Sequence, residues 1–271
     1  MRVLGGARRA PWSPGRLRRA AVVLLCCLAG SAAVAALVLC TRDIDRGAAA
    51  SARTALVRSA GPAHPAHHAP RPRIVPRSAW MDATVRRTQP PPHYDDRVVA
   101  VFVHHTDSPN AYDCADAPRI IRHLYAGQTG IRSWDDLGYN FVVDRCGTIY
   151  EGRAGGVDRA VTGAHTLGLN HRTAGIAALG TFTSGAEVPR AMTDAIAALA
   201  AWKLGLADVD PRARAHLVSS NGQSRFQAGT AADLPALAGH RDGYMTSCPG
   251  AALTALLPDI RQAAARLQGR V

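Results

Sequence analysis

The sequence predicts a mixed α/β domain: a single mixed β-sheet flanked by helices, preceded by a transmembrane or signal segment and a disordered linker. Three observations carry this. "RVVAVFVHH" (97–105) is a continuous apolar run of strand length, as a strand buried on both faces requires. "YNFVV" and "TIYEG" enclose a tight "DRCG" turn and read as a hairpin. Helical patterns alternate with these strands, which points to one layered domain of sheet and helices.

Taken from the N-terminus, residues 1–19 form a basic, cytoplasmic segment containing Arg8, Arg9, Arg16, Arg18 and Arg19. Residues 20–40, "AAVVLLCCLAGSAAVAALVLC", are uncharged and long enough to cross a hydrocarbon core of about 30 Å. The positive charge before this run orients the remainder outward. A cleavable signal is the alternative, with Ala33-Val34-Ala35 as a small-x-small site. Either way the rest of the chain is exported, held at the outer side of the membrane by residues 20–40 or released. Residues 41–72 are rich in Ala, Pro, Arg and His and hold too little bulky apolar surface to offset ordering entropy, so they read as a flexible spacer. His64, His67 and His68 in that stretch suggest a metal tract, with a solvated linker as the plainer reading.

The catalytic or binding domain is then 73–271. After the 97–105 strand, "CADAPRIIRHLYAGQTG" places Ile120, Ile121, Leu124 and Tyr125 on one helical stripe, with Gly127 and Gly130 near its stop. The hairpin follows. "TAGIAALGTF" (173–182) is a second core strand, and "PRAMTDAIAALAAWKLGL" (189–206) a helix with Pro189 at its start. A loop-rich stretch with a Ser-Asn-Gly turn leads to a closing helix from about Ala251.

The formal charge of +12 is concentrated in the tail, where residues 1–73 hold twelve arginines against Asp43 and Asp45. Only +2 belongs to the remainder, so the domain offers no electrostatic footprint for nucleic acid. Cys26, Cys27 and Cys40 lie in the apolar segment, leaving Cys114, Cys146 and Cys248 in an oxidising space. Three is odd: one thiol is free, or two are bridged and the third is occupied otherwise.

"GHRDGYMTSCPG" (239–250) offers an occupation. His240 and Cys248 are eight residues apart and can return to one point; with one histidine of the His104-His105 pair they supply two imidazoles and a thiolate. Three protein ligands with a fourth position open is the arrangement of a catalytic zinc. A structural histidine beside a free thiol is the plainer alternative. If Cys248 is a zinc ligand, Cys114 and Cys146 remain to form a disulfide. Periodicity does not choose between His104 and His105, because neighbours on a strand face opposite ways and both faces look buried.

"VFVHHT", "WDDLGYNFVVDRCGTIYEGR", "GAHTLGLN", "GIAALGTF" and "GHRDGYMTSCPG" occur in this order. The whole of 74–268 resembles the peptidoglycan recognition protein family, whose fold is shared with zinc-dependent N-acetylmuramoyl-L-alanine amidases of the phage lysozyme type. The resemblance implies that His104, His240 and Cys248 hold Zn2+, that Tyr139 faces the reacting centre as a hydrogen-bond donor, and that Thr246 contacts it. It implies peptidoglycan, a muramyl peptide, as partner, with His165 contacting the glycan-peptide or serving as a core histidine. Asn170 and Thr106 are lesser substrate contacts or loop-structuring residues. Trp80 and Trp134 are expected to pack.

The expected reaction is hydrolysis of the amide between N-acetylmuramic acid and L-alanine. The competing class is a non-catalytic sensor or wall-docking module on the same fold. A disulfide exchanger is disfavoured, because the domain has no Cys-x-x-Cys. A monomer is expected. The chain departs from the family pattern at "AWMDATVRR" and at "YAGQTGIRSW", which lacks a histidine often found after the first helix.

Overall fold

Six strands form the central sheet of the computed structural model, which describes residues 66–82 and 87–271. They are β1 (Ile74–Val75), β2 (Ala100–His105), β3 (Phe141–Val143), β4 (Ile149–Glu151), β5 (Thr173–Ala178) and β8 (Leu237–Gly239), in the order β1-β4-β3-β5-β2-β8. Only the β3/β4 hairpin is antiparallel; the other neighbours run parallel. Parallel strands need helices on their faces, and the chain supplies them. Helix α1 (Ala117–Ala126) covers one face, burying Ile121 and Tyr125 with Trp80, Leu137, Val142 and Leu179. Helices α2 (Arg190–Gly205) and α3 (Ala251–Leu267) pack with the rest of the sheet through Ile196, Leu199, Leu253 and Leu257. Val142 and Val143 separate between the two clusters, as the period of a strand dictates.

The apolar run around β2 is buried as its composition requires: Ala100 to Val103 are all 0% exposed. The "DRCG" turn closes through Gly147 N–H donating to Asp144 O, while Asp144 Oδ1 accepts from the backbone N–H of Cys146 and Thr148. Cys146 in this turn is bonded to Cys114, in the turn before α1. The helix is therefore stapled to the hairpin.

Three features depart from the sequence reading. The loop-rich stretch contains an antiparallel pair, β6 (Arg214–Val218) and β7 (Ala231–Pro235), forming a second sheet. Its strands bury only Ala215, Leu217, Ala232 and Leu234 on one face, and their Ala, Asp and Pro content hides the alternation. Second, α1 runs on through a wider turn, Gly127–Ile131, that buries Gln128 and Thr129. Third, the end of the expected flexible spacer packs on the domain: Ala69 is buried in the core, Arg71 lies over the Trp202 ring, and His67 pairs with Asp208 at 3.1 Å. A small side chain fits where Gly205 leaves its helix bare; a Cβ there would lie 3.1 Å from His68 Cα.

No helix among the described residues is long and apolar enough to cross a membrane. The 1–19 and 20–40 segments, His64 and most of the 41–72 spacer lie outside the described residues.

Candidate metal centre

Register brings the two histidines together. β2 pairs in parallel with β8 up to Val103 opposite Gly239, so His104 and His240 follow at the C-terminal ends of adjacent strands. Their rings are 4.4 Å apart between centroids. Ligands of parallel sheets gather at this edge. Phe102 and His104 share a face, and their partners on β5 are Gly175 and Ala177. Those small residues leave room above the strand.

Cys248 arrives from the loop after β8. Its backbone N–H donates to Thr246 Oγ1 (3.1 Å), its carbonyl accepts from Arg241 N–H, and its Sγ accepts from His105 N–H at 3.3 Å. The Cys248-Pro249 bond is cis, and Gly250 follows with φ of 91°. A Cβ on Gly250 would meet Phe182 O at 2.0 Å, so only glycine allows the loop to close here. The Phe182 N–H in turn donates to His105 Nδ1 at 3.3 Å. The second histidine of the pair thus supports the loop, and the first joins the cluster.

One ligand atom from each of His104, His240 and Cys248 lies within 4.8 Å of the others. His104 is fully buried and Cys248 8% exposed. Cys248 Sγ is 3.9 Å from His104 Nδ1, and neither ring nitrogen of His240 hydrogen-bonds a described residue. Burial is the main cause of every shift in this group. It holds His104 well below the usual histidine range, aided by His240, His165 and His105. It brings His240 to about 4 and pushes the Cys248 thiol up to about 12, partly offset by the His105 N–H. Both imidazoles are therefore neutral at pH 7, with lone pairs to donate, and near pH 7 the thiol would lose its proton to solvent only when a cation takes its place on the sulfur. Two nitrogens and one sulfur, with no carboxylate in the set, suit zinc with one position open.

Around the cluster, the Tyr139 ring lies 5.1 Å from His104, and its hydroxyl hydrogen-bonds no described residue. Burial raises its pKa well above the usual tyrosine range, with Cys248 adding to the effect, so the phenol keeps its proton. Thr246 accepts from Cys248 N–H and donates to no described residue. His165 is 6% exposed, its Nδ1 3.2 Å from His104 Nε2. Asn170 Oδ1 accepts from His165 N–H and Thr166 N–H, and Thr106 Oγ1 accepts from Gly180 N–H and meets Ser108 Oγ. These bonds shape the loops at the rim. Trp80 is fully buried, its Nε1 donating to Glu151 O, while Trp134 stacks under Arg132.

Support for Tyr139 comes from residues that the motifs alone do not single out. Asp136 is 4% exposed and pairs with Arg77 at 2.5 Å; its two oxygens also accept from Leu137 and Ala154 N–H. Gln128 Oε1 accepts from Gly138 N–H at 2.8 Å. Together they fix the turn that carries Tyr139. An aspartate and an arginine separated by 59 residues give no local signal.

Comparison with known proteins gives a consistent result. Residues 94–251 match the family model described as N-acetylmuramoyl-L-alanine amidase. The human protein named N-acetylmuramoyl-L-alanine amidase is 32% identical over 189 residues, 69% of this chain and 28% of that protein. Peptidoglycan-recognition protein LE of Drosophila melanogaster is 36% identical over 118 residues, 44% of this chain and 32% of its own length. The chain thus spans about a third or less of these curated relatives. Among solved structures, wild-type Drosophila PGRP-LB superposes with a TM-score of 0.52 at 26% identity, covering 68% of this chain and 91% of that one. PGRP-LE in complex with tracheal cytotoxin, a monomeric diaminopimelic acid-type peptidoglycan, gives 0.52 at 25% identity, covering 70% and 92%.

Proposed function

This chain belongs to the N-acetylmuramoyl-L-alanine amidase family, and from that premise we propose that it is a zinc-dependent hydrolase cutting the amide between N-acetylmuramic acid and L-alanine in peptidoglycan. The observation that carries the proposal is the convergence of His104, His240 and Cys248 to within 4.8 Å beside a protonated, uncommitted phenol. The phenol is a hydrogen-bond donor beside the cluster, as a developing oxyanion would require.

In this reading His104, His240 and Cys248 hold the metal. When bound, zinc in a three-ligand site polarises a carbonyl and makes water nucleophilic near neutral pH. Tyr139 donates a hydrogen bond to the carbonyl oxygen as negative charge develops there, a placement that stabilises the transition state more than the ground state. Thr246, its oxygen already accepting from Cys248 N–H, has its hydroxyl proton free to orient the substrate carbonyl or the attacking water. Asn170 and Thr106 brace the loops beside the cluster, and His165 backs His104 from within. Peptidoglycan as substrate is supported by the relative whose structure holds tracheal cytotoxin. Export is supported by the Cys114–Cys146 disulfide, a bond that persists in oxidising compartments. The domain would be tethered through residues 20–40 or released, and would act as a monomer.

The test is digestion of purified peptidoglycan by the metal-loaded protein, with and without chelator, alongside elemental analysis. Release of peptides with a free L-alanine amino terminus, abolished by chelator and by Cys248→Ser, is the expected result. Stoichiometric zinc with wall binding but no release would assign the chain to the recognition modules of the family.

A further inference from the structure

His165 is wedged in place. A Cβ on Gly175 would lie 2.5 Å from its Cγ, and a Cβ on Gly163 2.5 Å from its Cδ2, so both neighbours have given up side chains to admit the ring. The Phe102 ring is 6.0 Å away on the same face of β2 as His104. Each nitrogen of the wedged ring has a partner. Nδ1 is 3.2 Å from His104 Nε2 and 3.1 Å from Thr166 Oγ1; Nε2 is 3.4 Å from Thr173 Oγ1.

The far end of this chain decides where the protons sit. Thr173 Oγ1 lies 2.8 Å from Leu169 O and 3.1 Å from Asn170 O. Backbone carbonyls only accept, so the single hydroxyl proton of Thr173 goes to them, and towards His165 its oxygen can only accept. His165 must then carry its proton on Nε2. Its Nδ1 is left as an acceptor, which receives from His104 Nε2–H and can share the Thr166 hydroxyl. With its proton on Nε2, His104 presents a lone pair at Nδ1, the nitrogen 3.9 Å from Cys248 Sγ. The opposite arrangement would set the His165 Nε2 lone pair against that of Thr173.

We propose that His165, anchored by Thr173, is a positioning residue that fixes His104 as its Nε2–H tautomer and so presents Nδ1 to the metal. The inference rests on the metal-ligand reading above. Ligating histidines commonly donate their second N–H to a carboxylate or carbonyl; here a buried neutral imidazole takes that place, adding no charge to the site.

The tautomer is read by nitrogen-15 NMR of histidine-labelled, metal-free full-length protein. His104 is expected to be protonated at Nε2 and His165 likewise; Thr173→Val, nearly isosteric, should abolish the single tautomer of His165. Zinc affinity by chelator competition should fall about 10- to 100-fold in His165→Leu, while His165→Gln, whose amide can accept from His104 and donate to Thr173, recovers most of the loss. Thermal unfolding of each variant separates this from a folding defect. A metal-free wild type with His104 protonated at Nδ1 would overturn the proposal, as would a folded His165→Leu protein that binds zinc as tightly as wild type. If the wild type bound no zinc, the proposed function would fall, yet the NMR arm would still decide the tautomer.

Discussion

At the scale of single residues, the chemistry turns on which protons are held and which are released. Tyr139 keeps its proton because burial disfavours phenolate, so in the proposed reaction it would contribute a hydrogen bond. Tyr139→Phe should retain stoichiometric zinc while turnover of purified peptidoglycan falls at least tenfold, and by about 100- to 1000-fold if the phenol is a full oxyanion donor. Near-normal hydrolysis would remove Tyr139 from the reaction. Cys248 holds its proton to about pH 12 in the metal-free site, whereas His240 has lost its proton above about pH 4. Zinc binding between pH 6 and 8 should therefore release one proton, from the thiol, and apparent affinity should rise about tenfold per pH unit. Chelator competition at pH 6, 7 and 8 measures the slope; a slope near three would mean that the histidines are protonated too.

At the scale of elements, the site depends on where strands end and what holds the turns behind them. The β2 and β8 ends bring the histidines, and the cis-Pro249 and Gly250 turn returns Cys248. The hairpin and α1 flank Tyr139 and are joined by Cys114–Cys146, whose sequence separation is 32. Closing a loop of that size should contribute about 3–4 kcal/mol by restricting the unfolded chain. Replacing both cysteines with serine should lower the melting temperature by roughly 6–16 °C while leaving zinc stoichiometry intact, because the two disulfide-bonded sulfurs are not among the candidate ligands His104, His240 and Cys248. Loss of metal in that variant would mean that the hairpin positions the site more directly. The strands with dense β-branched and aromatic side chains, β2 and β3, were legible from composition. β6 and β7 were not, since their pairing is encoded by four buried residues spread over two low-propensity segments.

At the scale of the whole molecule, the cluster imposes a pH limit on folding. His104, His165 and His240 all have folded pKa values below the ordinary histidine value, to about 3 for His165 and about 4 for His240, with burial as the leading cause. The unfolded chain takes up protons at these positions as pH falls below about 6.5, and the folded chain does not. Stability of the metal-free protein should thus be insensitive to these groups above pH 7. It should fall as pH drops from about 6.5 towards 4, by about 1.4 kcal/mol per pH unit for each proton gained on unfolding. Urea midpoints at pH 4.5, 5.5 and 7 of chelated protein check the sign; a flat profile would mean that the histidines are solvated in the metal-free state. Zinc should protect against this loss, because binding the folded state alone adds stability.

Sequence by itself determined the materials: a basic N-terminal stretch followed by an uncharged apolar run, a strand running into paired histidines, the "GHRDGYMTSCPG" loop, and the ordered motifs that carry the family resemblance. Those signals are local, written in composition and in spacings short enough for one strand or loop. Periodicity left His104 and His105 equivalent and only the family resemblance preferred His104; tertiary structure alone decided that β8 lies beside β2 and that His165 turns inward to His104 and Thr173. His105 and Cys248 are 143 residues apart, and nothing in the periodicity of either segment refers to the other. Their meeting is a property of strand order and register, which the chain acquires only when both faces of the sheet are covered.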